Sequence, residues 1–157
     1  MATLGPTTFD RGVQAIRGAQ GMKSGRMVAM KMLSAIPSLP VLDVARATTF
    51  YTAKLGFTVR FQDSGFAILV QDDVELHVWA ANQPEVPGGE PYLAGSASCR
   101  IRVDDAESIY QVCDHEGIVH PNGRLATQPW GTREFTVLDA DGNCVVFYQP
   151  APDRQYP

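Results

Sequence analysis

Positive charge, long apolar runs and pairable cysteines are all scarce in this chain of 157 residues. Lys and Arg number 13 against 17 Asp and Glu, giving a net charge of −4 and an isoelectric point near 5.3. With no basic stripe, a general nucleic-acid-binding role is excluded. No apolar run approaches the ~20 residues that a membrane span needs, so no membrane partner is expected. The N terminus lacks a secretory hydrophobic region. Three cysteines, Cys99, Cys113 and Cys144, are an odd number at spacings that fit no zinc motif. Reduced thiols in a cytosol are the simplest reading, and a cytoplasmic location is expected. The chain also lacks a Gly-x-Ser-x-Gly elbow and a phosphate-binding loop. What it has is 45% hydrophobic and 19% charged residues, enough for a folded core within a single domain.

The organisation reads as a leader, a repeated unit and a tail. Residues 1–31 carry scattered glycines and no sustained period, and are expected to be a mobile leader, or else an arm that docks on another subunit. The domain is expected over 32–150, with modules 33–80 and 96–150, a linker 81–95 rich in proline and glycine, and a tail 151–157. In the first module, Leu33–Leu39 predicts an edge strand or a strand end, because Pro37 cannot donate to a sheet ladder. Asp43 predicts a helix N-cap, Val44, Ala47, Phe50, Tyr51 and Leu55 a helical apolar face, and Gly56 its stop. Phe57–Gln62, Phe66–Val70 and Val74–Trp79 follow as strands between turn-like Asp63-Ser64-Gly65 and Gln71-Asp72-Asp73. The second module repeats the order. Ser96–Val103 is a strand, Asp104 and Glu107 read as a capping box, and Ala106, Ile109, Tyr110 and Cys113 form the apolar face up to Gly117. Ile118–His120, Arg133–Leu138 and Cys144–Gln149 complete it as strands. The two helix starts lie about sixty residues apart. The fold class is therefore α+β: two βαβββ modules forming curled mixed sheets around a cleft. A lone unit of this kind leaves a sheet face to be covered.

The most informative stretch is Gln128-Pro129-Trp130-Gly131-Thr132-Arg133-Glu134-Phe135, followed by Asp139-Ala140-Asp141-Gly142-Asn143-Cys144. Pro129 and Gly131 constrain a loop that presents a tryptophan, a flat surface on which a planar ligand can stack. Together with Ala35-Ile36-Pro37, Phe50-Tyr51 to Leu55-Gly56-Phe57, and Asp63-Ser64-Gly65-Phe66-Ala67, this stretch resembles the bleomycin resistance proteins. Those belong to the glyoxalase/bleomycin resistance/dioxygenase (vicinal oxygen chelate) superfamily, and the resemblance covers residues ~33–150. Leu-Gly-Phe is superfamily-wide, whereas the tryptophan phrase is specific to the bleomycin-binding branch.

Superfamily enzymes gather His, Glu or Gln from four strands around one ion. The matching strands here offer Ile36, Pro37 and Ser38, then Ser98 and Cys99, then Val145 and Val146. Only Glu75 and His77 have suitable donors, so neither a metal nor any other cofactor is expected. The resemblance implies instead a homodimer whose interface clefts each bind one bleomycin- or phleomycin-type glycopeptide, with its flat bithiazole, cationic tail and metal-chelating head. Sequestration of the drug, with no bond made or broken, confers resistance. In that family the bithiazole lies between a loop tryptophan and a strand phenylalanine, and the matching positions are Trp130 and Phe66. Phe61 matches a further aromatic near the groove. Gly131, Trp79 and His77 are added as residues of the same walls, and Asp63, with Asp72, Asp73 or Glu75, as a complement to the cationic tail. Ordinary core roles for Phe66, Trp79 and especially Phe61, and turn roles for Asp72 and Asp73, stay open. Arg60 stands where relatives can carry an acid, which weakens attraction for a cation. Pro37 matches a proline near the strand that the family exchanges between subunits. Two alternatives remain: a metal-dependent lyase, dioxygenase or thiol transferase, and a carrier of another planar small molecule, whose anionic group Arg60 would pair.

Overall fold

The computed structural model describes residues 31–83 and 89–151. The expected leader and tail lie almost wholly outside these residues, as does the middle of the linker. All the elements below belong to the compact unit that begins at Ser34. They are β1 (Ser38–Val41), α1 (Val44–Leu55), β2 (Thr58–Gln62), β3 (Phe66–Gln71), β4 (Val74–Ala80), β5 (Ser98–Arg102), α2 (Ala106–His115), β6 (Ala126–Thr127), β7 (Thr132–Leu138) and β8 (Cys144–Pro150), with a 3-10 turn at Pro91–Leu93 before β5. They form two mixed four-stranded sheets, ordered β1-β4-β3-β2 and β5-β8-β7-β6. In each sheet the first strand runs parallel to the last and the remaining pairs are antiparallel. The expected α+β repeat of two βαβββ modules is the observed fold. Among the described residues no helix is long and apolar enough to cross a membrane.

Local chemistry accounts for the elements and for three departures from expectation. The Asp43 side chain accepts from Arg46 N–H at 2.8 Å, and Gly56 ends α1 in the left-handed region at φ 76°. The second cap is Asp105, not Asp104. Its carboxylate takes Ser108 N–H at 3.1 Å and Ser108 Oγ at 2.6 Å, and Glu107 instead forms an ion pair with Arg133 on β7. The first strand is Ser38–Val41 rather than Leu33–Leu39. Pro37 lies at its mouth, lending only its carbonyl to His77 N–H, while Pro40 lies within it. Pro40 is tolerated because β1 is an edge and its carbonyl points to the other module, accepting from Gly95 N–H and Asn143 Nδ2. Finally, Ile118–His120 makes one bridge, Val119 to Val137, and the strand paired to the edge of β7 is Ala126–Thr127.

Strict alternation puts one face of each sheet inside. Leu69, Leu76, Val78, Phe135, Val137 and Val145 are all within 1% of full burial, and they join one core cluster with Tyr51 of α1 and Cys113 of α2. At the module junction sits a buried knot. Asp139 Oδ1 accepts the N–H groups of Asp141, Gly142 and Asn143 at 2.8–2.9 Å, while Oδ2 accepts Tyr51 Oη at 3.0 Å and Asn143 Nδ2 at 2.8 Å. Burial first, then the adjacent Asp139 carboxylate, pushes the Tyr51 phenol far above its ordinary range, so it stays a donor. Gly95 closes the junction from above. It has φ 78°, and a Cβ there would fall 2.1 Å from the Asp141 carbonyl oxygen.

Candidate functional site

Among the described residues, the opposite face of each sheet carries no helix. On the first sheet the open positions of β3 and β4 pair directly: Phe66 with Trp79, Ile68 with His77, and Val70 with Glu75. All six are half-buried. A bulge in β2 adds to this face. Val59 pairs with Leu69 and Phe61 with Ile68, so Arg60 is the extra residue. The bulge brings Arg60 and Phe61 to one side, where regular alternation would have separated them. Phe61 is 47% exposed and its ring lies 6.5 Å from that of Phe66, so it is not a core residue. Phe66 meets the His77 ring edge-on at 4.9 Å.

Two charges on this face are already matched. Arg60 Nη2 donates to Glu75 Oε2 at 2.7 Å, and Glu75 Oε1 lies 2.7 Å from His77 Nε2. The hydrogen bond to His77, followed by those from Arg60, holds the Glu75 carboxyl below its ordinary range. Glu75 is thus engaged, and the cation of Arg60 is balanced on site. Asp63 serves the backbone: its Oδ1 takes Gly65 N–H and Phe66 N–H at 2.8 Å each, setting where β3 and its phenylalanine begin. Asp72 sits in the β3–β4 turn at φ 49°.

Trp130 belongs to the second sheet. The turn Gln128–Gly131 closes through Gly131 N–H to the Gln128 carbonyl at 3.0 Å, with Gly131 at φ 88°. Gln128 N–H reaches the Thr132 carbonyl at 2.7 Å, which clamps the turn to β7. The indole is 58% exposed. Its Nε1 donates to Glu134 Oε2 at 3.3 Å, the same oxygen that accepts Thr132 Oγ1 at 2.6 Å and Arg100 Nη2 at 2.5 Å. The Arg100 guanidinium also lies 4.8 Å over the Tyr148 ring. Glu134, 8% exposed, keeps its charge: burial opposes ionisation, but the hydrogen bonds from Arg100, Thr132 and Trp130 prevail and lower its pKa. Sequence reasoning missed Glu134, Arg100 and Tyr148. The only hint was polar residues at open-face positions of three strands, and which strands adjoin is a property of topology.

The candidates therefore fall into two groups. Phe61, Phe66, His77 and Trp79 share the first sheet, with Asp63 in its β2–β3 turn, and Trp130 and Gly131 lie at the rim of the second. Among the described residues of a single chain, no hydrogen bond or ring contact joins Trp130 to Phe66. A separate hollow of about 730 Å³ lies on the helix side, lined by Phe57, Ile101 and Phe147; of the candidates only Asp72 and Asp73 reach it, away from Phe66, Trp79 and Trp130.

The donor set does not suit the superfamily's metal. Among the described residues no three His, Cys, Asp or Glu side chains converge. Glu75 and His77 are tied to each other, Cys99 is a buried thiol pushed up to about 11 by burial and then by Asp139, and Val145 is core.

Comparison with known proteins agrees with this architecture. The model of the Glyoxalase/Bleomycin resistance protein/Dioxygenase superfamily matches residues 32–147. The bleomycin resistance protein of Geobacillus stearothermophilus is 41% identical over 128 residues, covering 75% of this chain and 97% of that protein. Among solved structures, the bleomycin resistance determinant encoded on transposon Tn5 is 30% identical with a TM-score of 0.61, covering 76% of this chain and 98% of its own. The bleomycin-binding protein of Streptomyces verticillus, complexed with copper(II)-bleomycin, is 28% identical with a TM-score of 0.62, covering 79% and 99%. The two open sheet faces, the rim tryptophan and these matches place the chain in the glyoxalase/bleomycin resistance/dioxygenase superfamily.

Proposed function

We propose that this protein binds and sequesters a bleomycin-type glycopeptide antibiotic, without catalysis, and so confers resistance. The observation that carries this reading is Trp130, a large indole left 58% exposed on a turn that is hydrogen-bonded at both ends. Its rigid mounting means little freedom is lost when a planar ligand stacks on it. Each aromatic pair so formed adds on the order of 0.5–1.5 kcal/mol beyond buried area. The names of the relatives at 41% identity support the same ligand class.

A second copy of the chain completes the site in this proposal. Phe66, Phe61 and Trp79 of one chain then face Trp130 and Gly131 of another, giving the sandwich that one chain alone lacks. The exposed apolar residues Met32, Leu33 and Ile36 just before β1 favour an interface there, and Pro37 at the mouth of an edge strand suits exchange of that strand. The proposed compartment is the cytoplasm.

Titration with bleomycin, read by tryptophan emission, tests the function. Quenching is expected to saturate at one drug per chain and to be lost in Trp130→Ala. Absence of quenching at stoichiometric drug, or the same quenching in the variant, would reject the proposal.

A further inference from the structure

Among the described residues, the half-exposed indole of Trp130 has one side-chain hydrogen bond, and it is to a carboxylate held from three sides. Arg100 approaches Glu134 from β5, Thr132 from the same strand and Trp130 from the turn, while Tyr148 lies opposite on β8 beneath Arg100. Glu134 pairs with Ala126 on its other side, so no further charged group faces it from β6. An exposed tryptophan without such an anchor samples several rotamers, and a ligand must select one of them. A carboxylate fixed by two stronger donors gives the indole N–H a stationary acceptor and fixes the plane of the ring.

We infer that Glu134 is a positioning residue: its carboxylate holds the Trp130 indole in the orientation that receives a planar ligand. The inference rests on the binding function proposed above, but the conformation of the indole can be read without any drug.

The test uses the full-length protein labelled with ¹⁵N, in which the two tryptophans give two indole N–H resonances, assigned by Trp130→Phe. In the wild type the Trp130 resonance is expected downfield and slow to exchange with solvent. In Glu134→Gln it is expected to move upfield and exchange faster, while bleomycin binding weakens roughly tenfold, the scale of one lost charge-assisted hydrogen bond. Glu134→Asp retains the charge but withdraws the acceptor. It serves if the Gln variant does not fold, and the same indole change is expected. An unchanged Trp130 resonance and unchanged affinity in a folded variant would overturn the inference. No bleomycin binding by the wild type, together with the indole change in the Glu134 variants, would reject the proposed function and leave the positioning role standing.

Discussion

Glu134 makes the mounting of the Trp130 indole a titratable object. Its carboxyl is held below the ordinary value of 4.5, so the stabilisation it provides is complete above that pH and is lost as the pH falls through the folded-state value. Trp130 emission should therefore stay constant from neutral pH down past 4.5 and change only in more acidic solution, ahead of global unfolding followed by circular dichroism. In Glu134→Gln that acid step should vanish. The cysteines give a second test at this scale. Cys99 and Cys113 are buried, and burial above all pushes both thiols up to about 11. Below that pH the thiolate, the reactive form, is rare. An aromatic disulfide reagent at mildly alkaline pH should leave both unmodified in the native protein and titrate all three thiols only after denaturation.

At the scale of elements, the turn between β7 and β8 is the chief joint. Asp139 satisfies three backbone N–H groups, a phenol and an amide from one buried position. Asp139→Ala leaves those donors orphaned and should cost on the order of 3 kcal/mol or more in urea unfolding, while a substitution at the exposed Asp72 turn has no such effect. Similarly, Asp105→Ala should lower the thermal midpoint and Asp104→Ala should not, because only Asp105 caps α2. Much of this architecture was legible in the residues: Asp43, Gly56 and the alternation of β3 and β4 each signal their element locally. The misread features share a cause. Asp104 and Asp105 are equal candidates until the helix phase is known. Leu33–Leu39 and Ser38–Val41 are both apolar enough to be the first strand until its pairing with β4 is known. Ala126–Thr127 is a strand only because β7 is there to pair with it. The site followed the same rule. Trp130 announced itself through its flanking Pro129 and Gly131, whereas Arg100, Glu134 and Tyr148 converge from β5, β7 and β8 and carry no local signature. The bulge at Arg60, which exposes Phe61, is likewise a register event rather than a residue preference.

At the scale of the whole molecule, the two open sheet faces require a partner surface if Trp130 and Phe66 are to act on one ligand. Sedimentation equilibrium at micromolar protein should return twice the chain mass of 17.1 kDa, and Leu33→Glu with Ile36→Glu should shift the balance toward the single chain and weaken drug binding in parallel. A variant that is monomeric yet binds bleomycin undiminished would place the site within one chain. The union of the two modules has a narrower dependence. Gly95 lies so close to the Asp141 carbonyl that hydrogen is the largest substituent the position accepts. Replacing it by alanine inserts a wedge between halves that each retain their own hydrogen-bonded sheet. Such a change should yield a conditional allele: under the proposed function, a host carrying it would tolerate the antibiotic when cool and become sensitive on warming, as the core shared by both modules melts at a lower temperature.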